Sequence, residues 1–146
     1  MTVRRYAEGT KVSVETSRGE ISGILGKHGV VRMGWFTEPE SDVVQFEMGG
    51  RLYRLAIKRP TLADAKAAYT GKQAWNVDWA GRVDAEWRRR WRATVLLLKA
   101  KLEFADGETS TVERELMAYL VLKDGRTLEA ALSDGGLPLL AAGTPA

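Results

Sequence analysis

The sequence predicts an α+β fold, a three-stranded antiparallel meander packed on helices in the order α-β-β-β-α, with further helices toward the C-terminus. Two observations carry this. Three consecutive runs alternate apolar and polar residues with period two, and the stretch from Trp87 to Phe104 repeats its apolar residues at helical spacing. At 146 residues, with 45% hydrophobic and 28% charged composition, the chain has the size of one domain with one proper core. We expect a single α+β domain over residues 1–140 and a frayed tail over 141–146.

Taken in order, Thr10 to Val14 reads as a short extended segment, with Val12 and Val14 alternating with Lys11 and Ser13. A helix is expected next. Ser17 suits an N-cap, Glu20 stands three residues on in capping-box position, and Ile21, Ile24 and Leu25 form an apolar stripe that Gly29 would end. The strands follow, built on Val31, Met33 and Trp35, then Val44, Phe46 and Met48, then Tyr53, Leu55 and Ile57. Residues Glu38 to Asp42 join the first pair, and Gly49-Gly50 is a dipeptide suited to a tight hairpin. The other face of this meander carries Arg32, Gln45, Glu47, Arg54 and Lys58, so only one face requires cover.

Arg59-Pro60 stops the third strand, and Thr61 to Thr70 reads as a connector or weak helix. From about Asp84 the helical pattern is strong. On a wheel of about 100° per residue, Trp87, Trp91, Val95, Leu98 and Leu102 share one side. Ala93, Leu97, Ala100 and Phe104 form a second apolar side, and Arg88, Arg92, Lys99 and Glu103 lie between the two. We expect both the sheet and a later helix to pack on it. Asp106-Gly107 breaks the helix, Ser110 or Thr111 caps another running to about Leu122, and Thr127 caps a last one, Leu128 to Leu132. Gly136 to Leu140 reads as an apolar plug ahead of the tail.

Several chemistries have no material to work with. The chain has no cysteine and one histidine, His28, which beside Gly29 reads as a helix C-cap. No Gly-x-Ser-x-Gly elbow, phosphate loop or tell-tale pair of carboxylates is present. The expectation is therefore no enzyme, no metal and no cofactor. No apolar run reaches the roughly 20 residues of a membrane span and the N-terminal residues lack an apolar signal core, which points to a cytoplasmic protein.

Charge is the remaining clue. The net charge is only +3, yet Arg82 to Lys101 holds seven basic residues against two acids, and Glu103 to Glu115 holds five acids against Arg114. Arg88 and Arg92, four apart on one helical face, ask for a counter-anion, either phosphate or an acid such as Glu113 or Glu115 of a neighbouring helix. The run Arg88-Arg89-Arg90 points three ways, so at least one guanidinium is expected to face solvent. Arg32, Arg54 and Lys58 would continue a positive track, and Trp75 or Trp79 beside it would supply stacking for a single-stranded nucleic acid. The candidate nucleic-acid-binding set is thus Arg32, Arg54, Lys58, Arg88, Arg89, Arg92, Trp75 and Trp79, whereas Trp35, Trp87 and Trp91 read as core.

The chain also resembles a family of small, largely uncharacterised bacteriophage and prophage proteins. The resemblance runs from Tyr6-Ala-Glu-Gly-Thr-Lys-Val-Ser-Val14 through Ser17-Arg18, Glu20-Ile21, Gly29, Gly50-Arg51 and Pro60. It is densest at Arg90-Trp91-Arg92-Ala93, Lys99-Ala100-Lys101-Leu102-Glu103, Ala118-Tyr119, Asp124-Gly125-Arg126-Thr127 and Leu137-Pro138-Leu139-Leu140. Lys123 departs from it, where the family often has proline in this turn. A phage setting implies a non-enzymatic nucleic-acid-binding accessory protein, with single-stranded DNA as partner, acting in replication or recombination in the host cytoplasm. The alternative is a modulator or inhibitor of a host protein complex in transcription or defence, and a homo-oligomer is compatible with either. The α-β-β-β-α order also occurs in double-stranded-RNA-binding domains and in the core of phage single-strand annealing proteins. The Lys-Lys-x-Ala-Lys helix start of the former is missing here.

Overall fold

The computed structural model describes residues 3–73, 75–135 and 142–143. The first helix, α1, spans Val14–Lys27. Its N-cap is Ser13, whose hydroxyl accepts from the Thr16 N–H, and not Ser17, so the expected strand over Thr10 to Val14 does not form. The helix gains a turn because Val14 packs on the core, which carries Ser17 to full burial inside the helix. Glu20 is accordingly free of any capping role and reaches Arg92. His28 is the C-cap, as expected, with Nδ1 2.8 Å from the Ile24 carbonyl and Nε2 2.8 Å from Asp106. Gly29 follows at φ 90°, a left-handed turn natural to glycine.

Three strands, β1 Arg32–Thr37, β2 Ser41–Met48 and β3 Arg51–Lys58, form the expected antiparallel meander in the order β1-β2-β3. Gly49 and Gly50 both have positive φ, as the tight β2–β3 hairpin demands. The register aligns Met33, Phe46 and Tyr53 in one row and Trp35, Val44 and Leu55 in the next, and these rows face the helices. Val31 lies outside β1 and is exposed.

After β3, α2 (Leu62–Ala68) starts on a full capping box in which the Thr61 hydroxyl takes the Asp64 N–H and the Asp64 carboxylate takes the Thr61 N–H. The long helix α3 spans Trp79–Ala105 and begins five residues before the apolar pattern does, because the Asp78 carboxylate caps it through the Gly81 N–H. Trp91, Leu98 and Leu102 are fully buried and Val95 nearly so, while Trp35 and Trp87 flank Trp91 with ring centroids 5.6 Å away. α1 packs along this side of α3. The second apolar side is covered in part: Ala93 is half-buried, Leu97 packs against the core and α4 lies against α3, while Ala100 and Phe104 are exposed.

The helix expected from Ser110 or Thr111 to Leu122 is also shorter. α4 is one turn, Val112–Glu115, capped by Thr111, and a 3-10 turn, Met117–Tyr119, follows. Leu120 then bridges to Tyr53 and the Val121 N–H donates to the Leu52 carbonyl, so pairing with the free edge of β3 competes with helix and wins. The last helix, α5, is Leu128–Ser133, capped by Thr127 as expected. The apolar plug and most of the tail lie outside the described residues. Among the described residues, no helix is long and apolar enough to cross a membrane.

Candidate nucleic-acid interface

Arg88, Arg89, Arg90 and Arg92 are on α3 where the sequence puts them, but each has an acid within the fold. Glu86 is a buried carboxylate that Arg89 grips with two hydrogen bonds, at 3.0 and 2.8 Å. Arg5 reaches the same carboxylate at 3.3 and 3.1 Å, and Arg90 at 3.2 Å. Burial alone would push the Glu86 carboxyl up, but the Arg89 hydrogen bonds and the charges of Arg89 and Arg5 more than offset this and hold it below the usual carboxylate range. The same pairing raises Arg89 further. Arg90 goes on to the Lys58 carbonyl and to Asp64, which also binds it to the start of α2. Arg88 pairs with Asp84 at 3.0 Å and Arg92 with Glu20 at 3.0 Å.

These partners are not the expected ones. Glu115 instead takes the Ser110 hydroxyl, while its carbonyl takes Lys101. None of the guanidinium side chains of Arg88, Arg89, Arg90 and Arg92 exceeds 28% exposure, so the expected solvent-facing member of the run is absent. A second buried acid was not anticipated from the sequence. Asp42, on β2, is held by Arg18 at 2.7 Å and by Arg59, and the Arg18 guanidinium also lies over the rings of Trp35 and Trp91 at 5.5 and 5.0 Å.

The sheet cations lie on the other face of the meander, and Lys58 meets α3 through its carbonyl, which takes Arg90. Strand alternation puts Arg32, Arg54 and Lys58 on the face opposite the core rows. Arg32 pairs with Glu47, and Arg54 donates to Gln45 and to the Gly125 carbonyl. They are therefore not brought together with Arg88, Arg89 and Arg92 into one track.

Trp79 does find a basic neighbour, at the junction of α2 and α3. Tyr69, the C-cap of α2, donates its hydroxyl to the Gln73 carbonyl, and the Gln73 amide donates to the Trp75 carbonyl. These bonds tie Tyr69, Gln73 and the Trp75 carbonyl together, while the Trp75 side chain stands 74% exposed. Asn76 adopts a left-handed φ of 57° and returns the chain to the Asp78 cap. Trp79 meets Tyr69 edge to face at 5.3 Å, Lys66 lies 5.8 Å from the Trp79 ring, and the Arg82 guanidinium sits 4.4 Å from the Tyr69 ring. An open cavity of about 380 Å³, bounded by Tyr69, Gln73, Asn76, Asp78 and Arg82, lies beside them. The arrangement offers aromatic faces, amides and cations at one place, which is what stacking a base and holding its phosphate require.

Lys66, Tyr69 and Arg82 were missed by the sequence reading. Two pairs at i, i+3 spacing, Lys66 with Tyr69 and Trp79 with Arg82, flank a short connector, and that symmetry was the available signal. Among the described residues no group of three or more histidine, aspartate or glutamate side chains is placed to hold a metal. Comparison with protein-family models, with curated proteins and with solved structures gives no match to this chain.

Proposed function

We propose that the protein is a non-enzymatic nucleic-acid-binding accessory protein that holds single-stranded DNA at the α2–α3 junction. The observation that carries this reading is the cluster of Tyr69, Trp79, Lys66 and Arg82, with the exposed Trp75 ring on the segment between α2 and α3. A large aromatic ring costs hydrophobic free energy when left in water, and a π-face flanked by cations suits an unpaired base with its phosphate. Base pairing in a duplex would hide that base, so a single strand is the better fit. The resemblance to phage proteins agrees with a role in replication or recombination.

The second reading, a modulator of a host protein complex, draws support from the exposed Leu96, Ala100 and Phe104 along α3. One titration separates the two. A labelled single strand should bind the wild type, and Trp75→Ala should weaken it by about 5- to 150-fold, the loss of one stacked base at about 1–3 kcal/mol, with an unchanged unfolding midpoint. Absence of binding at low salt, or full affinity in Trp75→Ala, would remove the single-strand reading and leave the protein-partner one.

A further inference from the structure

The helix α3 is apolar on the side turned away from the core. Trp91, fully buried, and Ala100 are two and a half turns apart, so they point to opposite sides of the helix. Leu96 and Phe104 lie one turn before and one turn after Ala100 and form a single ridge with it. A surface helix ordinarily carries polar residues opposite its core stripe. Here Leu96 is 43% exposed, Phe104 51%, and Ala100 is exposed between them. Two helices flank the ridge without covering it: α1, which meets α3 where Glu20 pairs with Arg92, and α4, whose Glu115 carbonyl takes Lys101.

The symmetry of the ridge and of its charges indicates what fits there. A two-fold axis through Ala100 that sets two copies of α3 antiparallel brings Leu96 of each copy level with Phe104 of the other. The small Ala100 side chains then meet at the crossing, where they let the helix axes approach closely. Charge selects the same arrangement. Lys99 and Glu103, one turn apart, share the flank of the ridge nearer α1. Glu103 is exposed with Lys27 of α1 at 3.3 Å, and Lys99 is exposed and enters no ion pair among the described residues. An antiparallel copy presents this same flank in reverse, so Lys99 of each copy meets Glu103 of the other. A parallel copy would present the opposite flank, where Lys101 stands.

We infer that the ridge of Leu96, Ala100 and Phe104 is a self-association surface, on which a second copy of this chain docks with its α3 antiparallel about Ala100. One surface supplies both the apolar ridge and both members of each ion pair, as an isologous interface requires, and this favours a second copy over a foreign protein. A single ridge makes a small contact, so the dimer comes apart on dilution.

Sedimentation equilibrium on the full chain, from about 1 μM to about 1 mM, should show the average mass climbing from one chain toward two. Ala100→Glu puts bulk and two like charges on the axis and should weaken association by at least about tenfold. Its unfolding midpoint at low concentration should stay at the wild-type value, because that side chain is exposed. Lys99→Glu and Glu103→Lys should each weaken association, and the double variant, which exchanges the two charges, should recover most of it. A change in net charge alone would move the two single variants in opposite directions. A single-chain mass over the whole range overturns the proposal and leaves this face to a foreign protein. A dimer that Ala100→Glu leaves intact overturns the ridge as its site, and failure of the double variant to recover association overturns the antiparallel arrangement.

Discussion

At the level of single residues, Glu86 shows how a charge can be indispensable without facing any ligand. Its carboxylate is 9% exposed, and the guanidiniums of Arg5, Arg89 and Arg90 converge on it. Glu86→Gln keeps the shape, removes the charge and leaves the buried ends of Arg89 and Arg90 without their anion. The expected cost is about 2–3 kcal/mol, below that of breaking a fully enclosed pair because Arg5 remains near water. Urea unfolding at neutral pH checks this, and equal midpoints for variant and wild type would contradict it. The pH dependence has a definite sign. The folded-state pKa of Glu86 lies below the unfolded value of about 4.3, so its contribution is complete above that value and is lost as pH falls through the folded one. The acid limb of the stability profile should therefore be shallower in Glu86→Gln.

At the level of elements, the functional surface depends on a helix of seven residues. α2 is too short to persist by propensity, and it holds Tyr69 at its C-cap and Lys66 in its last turn. Its start is secured by the Thr61–Asp64 capping box and by Arg90 reaching Asp64 from α3. The Thr61 backbone N–H, and after it Arg90, hold the Asp64 carboxyl below its ordinary range. Thr61→Ala should cost about 1 kcal/mol. Amide exchange is the informative readout, with faster exchange confined to α2 and the following connector, whereas uniform acceleration would mean that α2 is not a separable unit. The capping logic was read in the sequence at Thr127 and, with Ser110 as the alternative, at Thr111, whereas the capping box at Thr61 was not read. That logic failed at Ser17, where a valid Ser-x-x-Glu pattern lay inside a helix that Ser13 had already started. Local patterns propose caps, and the packing of Val14 decided between them. The same competition shortened the helix after Thr111, because no local signal reveals that the free edge of β3 is there to be paired.

At the level of the whole molecule, two populations of cations do different work, and salt tells them apart. Period-two alternation made the sheet readable because each strand is half-buried, and the Trp91 to Leu102 stripe made α3 readable for the same reason. Asp84 and Glu86 stand one helical turn before Arg88, Arg89 and Arg90, a spacing the sequence displays, whereas the pairing of arginines with Asp64, Glu20 and Asp42 was not readable, since those three acids sit on other elements. The sequence reading consequently assigned Arg88, Arg89 and Arg92 to a ligand, whereas Lys66 and Arg82 are the exposed cations beside the aromatic rings. Interior pairs are shielded from counterions, so unfolding midpoints should move little between about 50 and 200 mM salt. Strand binding through about two phosphates, at Lys66 and Arg82, should weaken by about sevenfold over that interval, from a slope of about −0.7 per phosphate. Anisotropy titrations and urea melts on the same samples give both quantities. Parallel losses of stability and binding would mean that the arginine network is open to solvent, and a salt-independent strand affinity would mean that stacking acts without phosphate contacts.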